Sequence, residues 1–462
     1  MVDPRPLVSP LQEVMAEEAP TSYTMRQGSS FAQLIADGCF QVVKGEYFEH
    51  MWLRRDQIQK RQDIPEVYLW RGEEAVELWQ AYGPLFLVTI SYAWLSEEHP
   101  DPECWHLERL ANAIASFRMF RERLKLKDES LGCHLLQQGV ASVDVGIIMD
   151  WCSLWHRHLW NGEDTRSERQ VQQFKQGLSE INTPYGHEAI MAWVLNEVPE
   201  AIARRYDDRG WTFFEKCIID AKGTWDIWVR TSMVIGGRFA GACEPQHLSD
   251  SFGNDPDAPP VSYRRAPLTP ARFDEELETL GSLAQERGVK LFTNGHEDRP
   301  LVQRKYRDSY RLLTQSRNLS YRYCEWRRQD LMRLLEALPD FAKLERLNLR
   351  GNHIDTKGAR DMAEHIQRHC PQLKFLVLSH NEIGLLGQLA MVVAWRSRDS
   401  ERNPACLDGS LSCVRSWCCF GGVQWWQRDA HLDLKGNVCL PCCSHGCMGS
   451  FMGTGRHCLL TC

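Results

Sequence analysis

Leu344-x-x-Leu347-x-Leu349-x-x-Asn352-x-Ile354-x-x-x-Gly358 returns as Leu373-x-x-Leu376-x-Leu378-x-x-Asn381-x-Ile383-x-x-x-Gly387, offset by 29 residues. A further copy lies upstream, Leu319 and Tyr321 followed by Cys324 and Trp326, with Cys324 standing 28 residues before Asn352 in the asparagine position. The spacing has a physical reading. Leucines at alternate positions of a short strand turn one face inward, and the Asn or Cys side chain satisfies backbone groups where the chain leaves the strand. The segment that follows, 358–367, carries Met362 and Ile366 one helical turn apart, so it reads as a helix behind the strand. Each unit can bury its apolar face only against the next, which makes 316–390 a stack of repeats.

A period of 28–29 with both Asn and Cys variants resembles the ribonuclease-inhibitor type of leucine-rich repeat, also found in NLR-type immune receptors. The resemblance covers about 75 residues and implies a short leucine-rich-repeat solenoid that binds a protein partner. Three units are near the minimum for stability, so the helices expected in 269–316 (Phe273–Arg287 and Val302–Gln315) are expected to cap the repeats at 317–395. A structural appendix with no binding role is the alternative.

Upstream, 81–235 alternates strand and helix signals. Leu85–Tyr92 is a continuous apolar, β-branched run, Val143–Met149 is a second and Ala189–Leu195 a third. Glu73–Tyr82 reads as a helix leading into them, and His106–Leu124 and Trp211–Ala221, between and after them, read as helices. This order predicts an α/β domain built on a mostly parallel sheet. Residues 1–80 read as a helical, loop-rich extension, and 236–268, rich in Gly and Pro, as a linker.

Ligands of open parallel sheets sit beyond the carboxyl ends of the strands. Ser91, Tyr92 and Trp94 follow a strand expected to end near Ile90 and Asp150 follows one ending at Met149, so both sets are expected on one rim. Together with Arg209-Gly210-Trp211-Thr212-x-x-Glu215, these segments resemble the three boxes of the fungal heterokaryon-incompatibility (HET) domain. That family is in turn similar to Toll/interleukin-receptor (TIR) domains, whose NAD-cleaving members carry a glutamate in the last box. Thr212 stands where the TIR motif has Cys, and His156 where the HET box has Gln, which puts a role for position 156 in doubt. The resemblance implies Glu215 as the essential carboxylate of a NAD-cleaving site, with Ser91, Tyr92, Trp94 and Asp150 as ligand-binding residues and NAD as substrate rather than cofactor. A carboxylate can stabilise the ribosyl cation of such a reaction without a metal. The plain alternative makes Glu215 a solvated residue on a helix whose Trp211, Phe214 and Ile218 face the core, and Asp150 a turn residue.

Composition narrows the classes. Of 462 residues, 43% are hydrophobic and 25% charged, the ordinary globular range, and the net charge of −7 argues against nucleic acid as the main partner. Eight Lys and Arg in 303–328 read as a solvated helical face. No stretch reaches the ~18 apolar residues of a membrane helix, and the opening residues lack the apolar core of a secretory signal. The expectation is a cytoplasmic protein with reduced thiols. His156 and His158 are too few for a metal, Gly236-Gly237-x-x-x-Gly241 lacks the context of a phosphate loop, and no nucleophile elbow stands out. Ten of the 18 cysteines crowd into 406–462. For this tail, 396–462, three readings stay open: poor order, a zinc site without assignable ligands, or a degenerate repeat announced by Leu432 and Leu434.

Two functions follow. The first is an intracellular signalling or immune-type recognition protein, with repeats binding a protein and a TIR/HET-like domain that makes signalling contacts and self-associates. The second is a NAD nucleosidase using Glu215.

Overall fold

The computed structural model describes residues 30–127, 139–157, 159–160, 163–223, 230–241, 264–292, 295–402, 424–427 and 430–434. Its first sheet has the order β1-β3-β2-β6-β7, from Val43–Lys44, Gly146–Ile148, Leu87–Tyr92, Met191–Leu195 and Ser232–Val234. β3, β2, β6 and β7 run parallel, and the short β1 closes the β3 edge antiparallel. Leu159–Trp160 (β4) and Glu163–Asp164 (β5) form a separate small hairpin.

The chain passes from β2 to β3 on one side and then returns to β6 on the other. β2 is therefore where the strand order diverges, the place at which open α/β sheets hold ligands. Both sheet faces are covered, as the side chains of β6 show. Met191, Trp193 and Leu195 enter one core with α1 (Ser30–Ala36), α2 (Gly45–Arg54), α3 (Gly72–Tyr82) and α4 (Trp105–Lys127). Ala192 and Val194 enter another with α8 (Gly210–Ala221), α9 (Pro270–Glu286) and α10 (Gly295–Leu313). α5 (Asp150–Ser153), α6 (Glu168–Ser179) and α7 (Thr183–Gly186) lie between β3 and β6.

Two boundaries read from the sequence do not coincide with breaks in packing. The expected extension 1–80 is, over its described residues, part of the α/β core: Phe31, Phe40, Tyr47, Phe48 and Trp79 are buried, and β1 pairs with β3. A two-residue strand is too short for periodicity to announce. The end of the expected linker is likewise core, with Arg264, Ala266 and Leu268 buried.

The second sheet has the order β11-β12-β10-β9-β8. β8 (Asn318–Ser320), β9 (Arg346–Asn348) and β10 (Phe375–Val377) are parallel and each is followed by a helix: α11 (Arg328–Ala337), α12 (Thr356–His369) and α13 (Leu385–Arg402). The register aligns Leu319, Leu347 and Leu376, all buried. β12 (Ala430–Asp433) adds a fourth parallel strand with Leu432 opposite Leu376, and β11 (Gln424–Gln427) pairs with it antiparallel. Leu432 and Leu434 thus complete the repeat core, the third reading of the tail; the cysteine-bearing remainder of 396–462 lies outside the described residues.

The amides behave as the spacing requires. Asn352 Oδ1 accepts from the Cys324 and Trp326 backbone N–H groups at 3.1 and 3.0 Å, and its Nδ2 donates to the carbonyls of Tyr321 and Leu349. Asn381 does the same one unit later, accepting from Ile354 N and donating to the carbonyls of Leu349 and Leu378. The expected cap helices α9 and α10 lie between α8 and the repeats. Phe273 stacks on Phe213 and on Tyr306, while Tyr310 donates to Asp340 at 2.8 Å.

Candidate functional site: a polar rim and a repeat face

Successive residues of a strand point to opposite faces, and the end of β2 uses both. Ser91 faces α8, where its Oγ donates to Glu215 Oε2 at 2.6 Å and pairs with the Tyr206 hydroxyl at 2.7 Å. Tyr92 faces the other way and donates to Asp150 Oδ1. Asp150 opens α5 directly after β3, and also accepts from Trp151 N at 2.6 Å and from Trp94 Nε1 at 3.3 Å.

The third box holds Glu215 in place by ordinary means. A Cβ at Gly210 would stand 2.1 Å from Phe292 Cζ, so only glycine lets α8 begin there. Thr212 donates to the carbonyl of Tyr206, tying α8 to the 3₁₀ turn at Tyr206–Asp208 that supplies the second hydroxyl. Trp211 lies four residues before Glu215, on the same helical face, and both are half-buried.

Burial pushes the Glu215 carboxyl up to about 8, and the Asp150 carboxylate adds to this, while hydrogen bonds from Ser91 and Tyr185 oppose it. Burial, and next the proximity of Glu215, raise the phenols of Tyr185 and Tyr206 well above their usual value, so both remain hydroxyl groups at neutral pH. His156 Nε2 donates to the Asp150 carbonyl at 3.0 Å, and burial lowers its imidazole below the usual value.

All five expected site residues therefore gather at the end of β2, but on two levels. Ser91 and Tyr92 belong to the strand itself, are buried, and support the carboxyls from behind, where the sequence reading had them lining a ligand. Trp94, Asp150 and Glu215 remain half-buried. Glu215 is not on a solvated face, since its carboxyl is bound by a fully buried hydroxyl. Tyr185 and Tyr206 escaped the sequence reading. Each sits on a turn of three or four residues, and the only signal was an aromatic close to a Pro-Gly or charged turn.

The repeats present a second surface. Arg346 is exposed and lies over the Phe375 ring at 4.8 Å, and Phe375 meets His431 at 6.5 Å across the β9–β10–β12 ladder. Beyond the strand ends, Arg322 and Arg350 flank the Tyr323 ring, each at 5.9 Å. The face is a band of cationic and aromatic side chains across adjacent units.

A Leucine Rich repeat family model matches residues 342–363, which span β9 and the first half of α12. Curated proteins and solved structures give no match. The chain contains a leucine-rich repeat, and that is the extent of the likeness.

Proposed function

We propose that the chain is an intracellular recognition protein whose repeat face binds a protein partner. The observation that carries this reading is the continuous Arg346–Phe375–His431 ladder on strands held in register. Arginine and aromatic side chains supply most of the energy at protein interfaces. In this reading the units form a short solenoid, and the α/β domain makes signalling contacts of TIR/HET kind and self-associates. Six buried cysteines among the described residues are free thiols, which suits a reducing, cytoplasmic compartment. No helix of the described residues is long and apolar enough to cross a membrane.

The test is affinity capture with the full-length protein beside an Arg346→Glu/Phe375→Ala variant of unchanged melting temperature. A partner that binds directly when purified, and whose affinity falls at least about tenfold in the variant, supports the reading. Equal binding by both proteins sinks it.

The contact between Ser91 and Glu215 favours a second reading, in which the rim hydrolyses an N-glycosidic bond with Glu215 as the essential carboxyl. NAD is the substrate that the resemblance to TIR and HET domains implies. Release of nicotinamide from NAD by the concentrated protein, abolished by Glu215→Gln, is its expected signature.

A further inference from the structure

The outward face of the first three repeat units carries charge of one sign. On each strand the buried leucines alternate with residues that point away from the core, and the register lines these up in rows. Asn318, Arg346, Phe375 and His431 form the first row, and Ser320, Asn348, Val377 and Asp433 the second. The backbone ladder runs on past the strand ends, with Tyr323 N donating to Arg350 O and Gly351 N to Ser379 O, which places Arg322, Arg350 and Ser379 in a third. On β8, β9 and β10 these rows hold three arginines and no acid, in a chain with 61 Asp and Glu against 54 Lys and Arg.

The two arginines of β9 are oriented without being neutralised. Among the described residues Arg346 and Arg350 make no ion pair; Arg346 lies over the Phe375 ring and Arg350 over that of Tyr323, and Arg350 Nη2 donates to His380 Nε2 at 3.3 Å. A guanidinium stacked on a ring is held in its plane and keeps its edge donors available to a carboxylate. Acids next to the strands are engaged by other cations. Glu345 pairs with Arg317 and Lys374 at 2.9 and 3.4 Å, and Glu382 meets His353 at 2.7 Å. Arg346 and Arg350 are four residues apart on extended backbone, a separation of about 13 Å.

We infer that the repeat face takes an extended acidic protein segment, with one carboxylate on Arg346 and a second, four residues along, on Arg350. The inference rests on the reading of this face as a protein-binding surface and names the chemistry of its partner. Each carboxylate can accept two parallel N–H bonds from its guanidinium. Between the two arginines the second row is uncharged on these units, with Ser320, Asn348 and Val377, so the residue midway between the carboxylates is apolar or small. Glu325, Glu345 and Glu382 border the face, and Asp433 ends the second row. That border repels a continuous polyanion such as RNA, whereas carboxylates separated by neutral residues avoid it.

The experiment titrates the full-length protein into fluorescent peptides with the core Glu-Ser-Leu-Ser-Glu, the same core with Gln or Lys at both ends, and a single-stranded oligouridylate, reading anisotropy. The Glu peptide is expected to bind at least about tenfold more tightly than the Gln peptide, and to weaken as NaCl rises, because exposed charge pairs are screened. Arg346→Glu with Arg350→Glu is expected to remove that preference, while Arg360→Glu, exposed on α12, leaves it unchanged. Equal binding of the Glu and Gln peptides, no binding of either, or tighter binding of the Lys peptide or the oligouridylate overturns the acidic assignment. If the Glu peptide fails to displace a captured partner that still depends on Arg346 and Phe375, the assignment falls and the recognition reading stands. A partner indifferent to both residues sinks the two together. The comparison of peptides on the unmodified protein decides the matter even if a variant fails to fold.

Discussion

At the scale of the residue, the burial of Glu215 ties stability to pH. Its carboxyl titrates near 8 in the folded chain and at about 4.3 in an unfolded one. Between those values the folded state holds a proton that the unfolded state has released, so the group's contribution to stability falls as pH rises through this window and levels off above it. Glu215→Gln keeps the shape and cannot ionise. Its melting temperature is expected to exceed that of the unmodified protein at pH 9 and to approach it at pH 5, as thermal denaturation at the two pH values would show. A constant difference would mean that the carboxyl is solvated. The sequence made the residues of the rim legible because strand ends and an ordered set of boxes mark them. It could not show that Ser91 and Tyr92 are buried supports, since a strand end read one or two residues early turns an interior side chain into a loop side chain. The phenols of Tyr185 and Tyr206 come from turns whose position only the folded chain defines.

At the scale of the element, the repeats were the most legible part because their period is fixed by contact between neighbours. Leu376 shows why: it is buried between Leu347 and Leu432 in the aligned register. Leu376→Ala is expected to cost about 2–5 kcal/mol, read from chemical denaturation, whereas Leu386→Ala, at a position 60% exposed on α13, should change stability little. Asn352→Ala removes four hydrogen bonds to backbone groups that lie in the interior, and each orphaned group costs about 1–3 kcal/mol. A loss of several kcal/mol is expected, and an unchanged denaturation midpoint would contradict the role given to the asparagines. The helices at His106–Leu124, Trp211–Ala221 and Phe273–Arg287 came close to their observed ends because long amphipathic runs carry their own period. β1 and β7, at two and three residues, carry none.

At the scale of the whole molecule, Arg264 joins the two sheets. Its guanidinium donates to the carbonyls of Asp220 and Lys222 at the end of α8 and to that of Ser320 at the end of β8, and it lies over the Tyr321 ring at 4.8 Å. Trp326 closes the arrangement by donating to the Arg264 carbonyl at 2.6 Å. The helix that carries Glu215 is thereby fastened to the first repeat unit. Arg264→Met is expected to split a single thermal unfolding transition into two in calorimetry; one transition at unchanged temperature would show that α9 and α10 suffice to couple the halves. The clamp was illegible in the sequence because it falls in a stretch whose prolines and glycines mark a linker. The far end of the molecule carries a different safeguard. A stack of parallel strands has no natural last member, and an uncovered β10 would offer its backbone to any extended chain, another copy included. β12 occupies that edge and β11 then reverses direction, so among the described residues the ladder ends on an antiparallel strand. A chain cut before Gln424 is expected to form fibrillar or oligomeric assemblies at concentrations where the full chain stays dispersed, and light scattering of the two would show it. On that outcome, the β11–β12 pair would be what keeps the edge of β10 from recruiting a further strand.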